Sequence, residues 1–303
     1  MSLKAIVQAL GGDLYDRGCR ANIPAPGHSN ADRSVSLMLR DGRIIVHTFG
    51  DGDWRGVLDD LRARGLIDVR NAPTSGGRAS DRPAVGVITS SDADRLAAAR
   101  RIWDVGRPLA GTLSERHCRL RHIERTLPGP DVVRHAGQTP VSAYGDDRLR
   151  RPALLVGICD AKGAFTAVEV TYLTPGGQRA IDLRLPRKTV GPVPAGTAAR
   201  IDPAAPEMLV AEGFFTTLSA SECFGLPAWA LMSTRNLRVW SPPAGVRSVL
   251  IAADRGKDGE ASAARLEARL IAGGLAASVA LPPGSWGDWN EWSNRGGRGA
   301  TGA

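Results

Sequence analysis

The chain has 303 residues, 43% hydrophobic and 23% charged, with a formal net charge of +8 at pH 7. This composition excludes an intrinsically disordered chain and predicts a globular protein of about two domains. No apolar run approaches the ~20 residues that span a bilayer, and the N-terminal stretch MSLKAIVQALGG predicts an amphipathic helix and not a signal peptide. We therefore expect a soluble, cytoplasmic protein with no membrane partner.

Arginine dominates the positive charge, and two explanations stay open. One is an anionic partner, because guanidinium groups fit phosphate oxygens and steer polyanions; the other is a GC-rich genome that favours arginine codons. The cysteines are scattered without a CxxC pair, which predicts neither a disulfide framework nor a metal knuckle. Buried free thiols in a reducing compartment are expected at Cys19, Cys118, Cys159 and Cys223.

The sequence pattern before residue 70 predicts a small N-terminal module. The segment SVSLMLRDGRIIVHTF alternates apolar and polar residues around Asp41-Gly42, a dipeptide that favours a tight hairpin turn. A helix is predicted next, over DWRGVLDDLRARG. The stretch RNAPTSGGRASDRPAVG, residues 70–86, is dense in Gly, Pro, Ser and Arg and predicts a flexible linker, and RGGRGATGA predicts a disordered tail.

After the linker, the sequence first predicts helices and an antiparallel hairpin and then a parallel sheet. Residues 92–105 and 113–125 predict helices, and ALLVGICD with FTAVEVTYL predicts a second antiparallel hairpin. From residue 208 onward, MLVA, FFTTLSASECFG, AWALM, SVLIAAD, GEASAARLEARLIAGG and ASVALP read as strand, helix, strand, strand, helix, strand. Such an alternation is typical of a parallel sheet with crossover helices, so the predicted fold class of this half is α/β.

Acidic residues follow the predicted parallel strands. Glu212 ends the first, Asp254 ends SVLIAAD, and Asp288 and Glu291 follow ASVALP. The carboxyl ends of parallel strands meet at one edge of a sheet, where oxygen ligands could hold Mg²⁺. The alternative is that Glu212 and Asp254 cap the helices that follow or favour their positive ends.

The spacing of LVAEG, VLIAADRGKDG and GDWNEW resembles the Toprim domain shared by bacterial primases, topoisomerases and certain nucleases. This resemblance implies a catalytic role for Glu212 and Asp254 in phosphodiester chemistry on Mg²⁺ or Mn²⁺. It also implies Glu212, Asp254 and Asp288 as metal ligands, with Glu212 acting either in that role or as general acid/base. The second acid of the family's D-x-D motif falls on Gly256, and Asp258 either substitutes for it or caps the next helix. Arg255 and Lys257, which flank Gly256, are expected to bind nucleotide or nucleic-acid phosphates.

The segment before this domain resembles the basic subdomain of primases from plasmids, phages and integrated elements. The resemblance rests on GTLSERHCRLRHI, the second hairpin and LPRKTVGPV. It implies that Lys188 faces the active site as a catalytic residue, with Arg184 and Arg187 beside it to bind nucleotide or template phosphates. Cations there would neutralise phosphate charge. The alternative is a solvated surface loop.

The N-terminal module resembles the primase zinc-binding domain, and it departs from that domain at the ligands. His28 is retained, but Ile23, Thr48 and Gly52 stand where thiolates would be. His28 and the distant His47 cannot complete a tetrahedral site, so no zinc is predicted.

We expect such a metal-free module to depend on an apolar face and to hold single-stranded template through charge and stacking. Trp54 could serve in that stacking or belong to the core. The apolar face is expected to comprise Leu37, Leu39, Ile44, Val46, Phe49, Trp54 and Leu58, and the template contacts Arg20, Arg33, His28 and Trp54.

Together the resemblances imply a DNA primase that copies single-stranded DNA into short RNA primers from ribonucleoside triphosphates, with any replicative helicase on a separate chain. A catalytically inactive nucleic-acid-binding relative and a Toprim nuclease stay open as alternatives. The expected organisation is a zinc-ribbon-like module, a linker, a basic subdomain, the Toprim domain and a tail, over residues 1–69, 70–88, 89–205, 206–292 and 293–303.

Overall fold

The computed structural model describes residues 3–27, 33–48, 53–74, 92–142, 149–183 and 185–295. The chain forms two compact units, Met1–Thr89 and Ser90–Ala303. Four residues named above lie outside the described ranges, namely His28, Phe49, Gly52 and Arg184. Within those ranges, no helix combines the length and the apolar character that a membrane span requires.

The N-terminal unit is built around an antiparallel sheet. Its elements are α1 (Lys4–Leu10), β1 (Asp13–Tyr15), β2 (Arg20–Ile23), β3 (Val35–Arg40), β4 (Arg43–Thr48) and α2 (Trp54–Ala63). The strands pair in the order β1-β2-β3-β4. The predicted helices at both ends of this unit are confirmed. The sequence pattern misses β1 and β2, because strands of three and four residues are too short to show a period.

The β3–β4 hairpin turns at Asp41-Gly42, as predicted. Arg40 pairs with Arg43 at the end of the ladder, so the loop has two residues. Asp41 and Gly42 both have positive φ, 51° and 75°. A type I′ turn requires this combination, and its twist matches that of the flanking strands.

One apolar cluster fills the N-terminal unit, and most of the expected apolar face belongs to it. Leu37, Ile44 and Leu58 are buried there, with Leu39 and Val46 partly buried at its edge. Trp54 is an exception: its side chain is 47% exposed and carries the Arg55 guanidinium 5.1 Å from its ring centroid. Trp54 is the first residue of α2, and the buried side of that helix begins a turn later, so it does not belong to the core.

The apolar cluster also contains Ile23, one of the residues that replace thiolates. Ile23 ends β2 and is 1% exposed, beside Val35 and Ile67 in the same cluster. Thr48, another replacement, ends β4. Apolar packing therefore holds the end of β2, where the resemblance would place a zinc ligand.

The start of the predicted linker is hydrogen-bonded to the N-terminal unit. The carbonyl of Asn71 accepts a bond of 2.8 Å from the Ile44 amide, and the Thr74 amide donates to Leu66 at 3.1 Å. Residues 70–74 thus belong to this unit, while residues 75–91 lie outside the described ranges.

The second unit begins with helices and an antiparallel sheet. Its elements are α3 (Asp92–Asp104), α4 (Leu113–Leu120), β5 (Val133–Pro140), β6 (Arg150–Cys159), β7 (Phe165–Tyr172) and β8 (Arg187–Val190). The strands pair in the order β5-β6-β7-β8, and the predicted β6–β7 hairpin is confirmed. Trp103 of α3 packs on Gly157 of β6, where an added Cβ would lie 3.0 Å from the indole ring.

A parallel sheet completes the second unit. Its elements are β9 (Ala199–Arg200), β10 (Glu207–Ala211), α5 (Phe214–Phe224), β11 (Ala228–Ala230), α6 (Thr234–Val239), β12 (Ser248–Ala252), α7 (Lys257–Ala272), β13 (Ala276–Ala280) and α8 (Trp289–Asn294). The order is β13-β12-β10-β11-β9, with β9 the antiparallel edge. The predicted α/β fold class is confirmed. The pattern misses β9, α6 and α8, which have two, six and six residues.

None of the four cysteines is in a disulfide, and they are not all buried. Cys118 on α4 is buried, Cys19 and Cys159 are partly exposed, and Cys223 near the end of α5 is exposed. The prediction of a buried thiol is therefore wrong for Cys223, which lies on the solvent side of α5.

Candidate active site

Two carboxylates follow neighbouring parallel strands at the same edge of the sheet. Ala211 and Ala252 are register partners at the ends of β10 and β12. Glu212 comes directly after Ala211, and Asp254 comes two residues after Ala252. The chain leaves β10 toward β11 on one side and returns to β12 on the other, so the edge lies at a topological switch point, where open α/β sheets bind ligands.

Neither carboxylate caps a helix. The N-cap of α5 is Gly213 and that of α7 is Gly256, and glycine has no side chain with which to cap. Asp258 is not an N-cap either, since it lies in the first turn of α7. The capping alternative therefore does not explain Glu212 or Asp254.

Asp254 lies in surroundings that disfavour its charged form. Burial, followed by the charges of Glu212 and Asp288, raises its pKa from 3.8 to about 7. A hydrogen bond with Thr216 and the charge of Arg187 act in the opposite direction. These contributions show that the acids lie close together and that Arg187 faces them.

Glu212 is also partly buried. Burial raises its pKa, whereas a backbone hydrogen bond from Thr234 and the charges of Arg187 and Arg238 lower it. Asp258 adds a further rise. A carboxylate whose pKa is raised in this way is a stronger base than a solvated one.

Asp288 has a structural role and also reaches the site. Its Oδ1 accepts a bond of 2.7 Å from the Glu291 amide at the start of α8, and Glu291 Oε2 accepts one from the Gly287 amide. Fully buried Asn290 donates through Nδ2 to the carbonyl of Arg121 and to the Ser219 hydroxyl. These bonds fix α8, and with it Asp288, against the end of α4 and against α5.

The acids line a cavity of about 170 Å³, and cations line the same cavity. The acidic side chains are Glu212, Asp254 and Asp288. Arginines come from three different segments of the antiparallel part of the unit. The full lining is His117, Arg121, Thr171, Arg179, Arg187, Glu212, Gly213, Phe215, Thr216, Asp254 and Asp288.

Sequence reasoning missed several of these residues, among them His117, Arg121, Arg179 and Thr216. His117 and Arg121 lie in the basic segment GTLSERHCRLRHI, which points to a subdomain but not to particular side chains. Arg179 follows the turn after β7. Local spacing gives no signal for these side chains, because tertiary packing of α4 and this turn brings them to the sheet edge.

The structure places Arg187, and not Lys188, in the cavity. Consecutive strand residues point to opposite faces, and on β8 Arg187 lines the cavity with Nε 4.0 Å from Glu169. Lys188 Nζ donates to the carbonyl of Val141 and lies 5.3 Å from the Tyr172 ring centroid.

The residues after Asp254 have other contacts. Arg255 donates to the carbonyls of Pro282, at 2.6 Å, and Trp286, at 3.3 Å, and its amide donates to Gly287. Asp258 is exposed and bonds to the Arg238 guanidinium. Lys257 is exposed at the start of α7. Arg255 thus fixes the loop before Asp288, and none of these side chains lines the cavity.

Gly256 stands where the resemblance would place a second acid, and its backbone suits glycine alone. Its φ and ψ are 123° and 160°, a backbone conformation that residues other than glycine rarely adopt. Open space surrounds the position of an added Cβ. The departure from the family motif is therefore built into the turn and does not reflect steric crowding.

The acids fit a divalent cation that is shared with a substrate. Asp254 Oδ1 is buried and has no hydrogen-bond partner among the described residues. The described residues contain no group of three or more His, Cys, Asp or Glu side chains arranged to hold a metal. Mg²⁺ often uses only one or two carboxylates, together with waters and substrate phosphates. Asp254 with a neighbouring acid meets that need.

Residues 207–299 match the Toprim domain family, a segment that contains β10 to α8 and the acids just described. This segment is therefore identified as a Toprim domain, and the resemblance noted in the sequence motifs is confirmed for these residues. Residues 93–201, which contain the antiparallel sheet, match a domain of unknown function, DUF7146. No curated protein matches the sequence.

Several solved primase structures are similar to this chain at low identity. The Aquifex aeolicus primase, with zinc-binding and RNA polymerase domains, is 13% identical at a TM-score of 0.42, covering 98% of this chain and 80% of that one. The primase fragment of the bacteriophage T7 primase-helicase is 16% identical at 0.40, covering 89% and 93%. The RNA polymerase domain of Mycobacterium tuberculosis primase DnaG is 16% identical at 0.40, covering 69% and 80%.

Proposed function

We propose that this chain is a primase-like nucleotidyltransferase that synthesises short RNA primers on single-stranded DNA. Its substrates are ribonucleoside triphosphates, its cofactor is Mg²⁺ or Mn²⁺, and a replicative helicase on a separate chain is a further partner. One observation carries the proposal: in a Toprim domain, Glu212 and Asp254 at the switch point share a small cavity with arginines. Acids beside cations suit a reaction in which a hydroxyl attacks a phosphate.

The chemical step needs a proton acceptor and positively charged groups that stabilise the negative charge of the phosphates. A primer 3′-hydroxyl oxygen attacks the α-phosphorus of the incoming nucleotide, its proton is removed, and pyrophosphate leaves. Glu212 accepts that proton, because burial raises its pKa and strengthens it as a base. Asp254 and Asp288 would hold the divalent ion, which when bound would stabilise charge on the phosphate oxygens. Arg187 neutralises further phosphate charge.

The test is primer synthesis on single-stranded DNA with all four ribonucleotides and either Mg²⁺ or Mn²⁺. We expect short RNA from the wild type and a loss of about 100-fold or more in Glu212→Gln, because a missing general base costs that much. Glu207→Gln is the matched control, since Glu207 is exposed at the opposite end of the same strand. Products that persist in Glu212→Gln would contradict the role of Glu212, and none from the wild type would contradict the function.

A second candidate function is nucleic-acid binding without catalysis, and Gly256 favours it. The turn at Gly256 lacks the second acid of the motif. Under this alternative, Glu212→Gln leaves the affinity for single-stranded DNA unchanged and neither protein makes primers. The same reactions would also detect a Toprim nuclease, because a nuclease would shorten the DNA template and make no RNA.

A further inference from the structure

A buried asparagine in α6 joins the connection between the two sheets of the second unit to the end of β11. Asn236 is 4% exposed. Its Oδ1 accepts a bond of 2.7 Å from the Gly196 amide, and its Nδ2 donates to the carbonyls of Thr197 and, at 2.8 Å, Leu231. Gly196 and Thr197 lie between β8 and β9, and Leu231 directly follows β11. One side-chain amide therefore fastens three points of the main chain.

The residue after Leu231 has a strained backbone. Met232 has φ 66°, in the left-handed region that favours glycine and is unfavourable for other residues. Such strain persists only where surrounding contacts enforce it. The Leu231 amide donates to Ala211 at 2.8 Å, and the Met232 amide donates to the carbonyl of Glu212 at 2.7 Å. The bond from Asn236 to the Leu231 carbonyl holds the same turn from the side of α6.

This turn directs a hydrogen-bond donor at the Glu212 carboxylate. Ser233 is the N-cap of α6, and its hydroxyl accepts a bond of 3.1 Å from the Asn236 amide. The next amide in the chain, that of Thr234, donates to the Glu212 side chain. Met232 thus holds the main chain of Glu212, and Thr234 holds its carboxylate. A proton acceptor must be kept within hydrogen-bond reach of the group that it deprotonates, and small displacements are costly.

We propose that Asn236 is a positioning residue: it maintains the turn over residues 232–234, and that turn orients the Glu212 carboxylate toward the reacting hydroxyl. This inference rests on the proposed function, which makes Glu212 the proton acceptor. Asn236 is not among the residues that line the cavity, so it acts through Glu212 and not on the substrate. Its removal should slow the chemical step and leave nucleotide binding unchanged.

The first test is the steady-state kinetics of primer synthesis by Asn236→Ala in the full chain. We expect kcat to fall about tenfold, which is part of the loss of about 100-fold or more expected for Glu212→Gln. The KM for ribonucleotides should stay within about twofold of the wild-type value, because an interaction that serves only the transition state lowers kcat alone. A raised KM with an unchanged kcat would overturn the positioning role.

Thr197→Val is the matched control. Thr197 is buried on the same connection, and its hydroxyl donates to the carbonyl of Pro194 at 3.0 Å. Its bond with Asn236 uses the main-chain carbonyl, so the substitution leaves that bond in place. We expect Thr197→Val to lower the melting temperature as Asn236→Ala does and to leave kcat unchanged. An equal fall of kcat in the two variants would overturn the inference.

A double-mutant cycle then asks whether Asn236 acts through Glu212. In the Glu212→Gln background, Asn236→Ala should lower the residual kcat by less than about twofold, because the group that it orients is already absent. A loss of about tenfold in both backgrounds would contradict the inference, since the effect on kcat would then be independent of Glu212.

Hydrogen exchange of individual amides separates this inference from the proposed function, because it needs no reaction. We expect the amides of Leu231, Met232 and Thr234 to exchange faster in Asn236→Ala than in the wild type or in Thr197→Val. Faster exchange at these amides in a chain that makes no primers would support the role of Asn236 in holding the turn and contradict primer synthesis. Exchange at the wild-type rate in Asn236→Ala would overturn the inference, whatever the primer assay shows.

Discussion

Asp254 makes the stability of the second unit depend on pH. In the unfolded chain this acid ionises near its ordinary value of 3.8, and in the folded chain near 7. Between those values the folded chain binds more protons than the unfolded chain. The free energy of unfolding is therefore highest below about pH 4 as far as Asp254 is concerned, falls as the pH rises through 7, and stays lowered above it.

Asp254→Asn should remove this dependence. The amide keeps an acceptor for Thr216 and carries no charge, so we expect the free energy of unfolding to rise by about 2 kcal/mol or more near pH 8. Melting temperatures between about pH 5 and 8 check this, with Glu207→Gln as the control for charge removal on the same sheet. A variant that follows the wild-type pH profile would show that Asp254 is not held in its neutral form.

Gly256→Asp should not repair the family motif. The turn has φ 123°, so any side chain there is strained by about 1–3 kcal/mol, whatever its charge. We expect Gly256→Asp and Gly256→Ala to lose similar stability in chemical denaturation and neither to gain primer synthesis. Gly129→Ala serves as the control, since Gly129 lacks a positive φ and has open space around an added Cβ. Higher activity in Gly256→Asp would show that the turn can adapt.

Among the elements, helix α7 packs directly on the end of β12. A Cβ on Gly259 would lie 2.5 Å from the carbonyl oxygen of Asp254. The absence of a side chain therefore allows the first turn of α7 to approach the strand. Glycine in a helix interior is otherwise unfavourable by about 1 kcal/mol relative to alanine, so close packing offsets a propensity cost.

Gly259→Ala should consequently destabilise the protein, although propensity alone predicts the opposite. We expect a loss of about 1–3 kcal/mol from overpacking, with primer synthesis lowered because Asp254 is displaced. Ala264→Gly, at an exposed position of the same helix, should cost about 1 kcal/mol by propensity and leave activity unchanged. Urea unfolding and the primer assay measure both. A more stable Gly259→Ala variant would contradict the contact.

The sequence predicts those elements that have a strong local pattern. Asp41-Gly42 specifies its turn through positive φ, and Glu212 and Asp254 could be located because buried runs end just before them. The cationic half of the cavity could not be predicted, since Arg121 and Arg179 meet only after α4 and the turn after β7 pack together. The motif around Lys188 does not show which of two neighbouring strand residues faces the acids, and in the structure Arg187 lines the cavity.

At the scale of the whole molecule, the N-terminal unit has an apolar core that extends to its sheet ends. Ile23 is buried in that core, so folding of the unit should not require a metal. We expect hydrogen exchange of the amides in residues 35–48 of the full chain to be unchanged by a strong chelator. Ile23→Ala should accelerate that exchange, because deleting such a side chain costs about 2–5 kcal/mol. Faster exchange after chelation would reveal a metal that supports the fold.

A last consequence concerns the spacing of the acids. Arg255 immediately follows Asp254 and binds the carbonyls of Pro282 and Trp286, shortly before Asp288. The two acids are thus coupled mechanically through main-chain oxygens and not through the length of chain between them. Helix α7 and strand β13 lie in the sequence between Arg255 and the two carbonyls that it binds. The outer turns of α7 could lengthen or shorten over evolutionary time while the distance between the acids stayed the same.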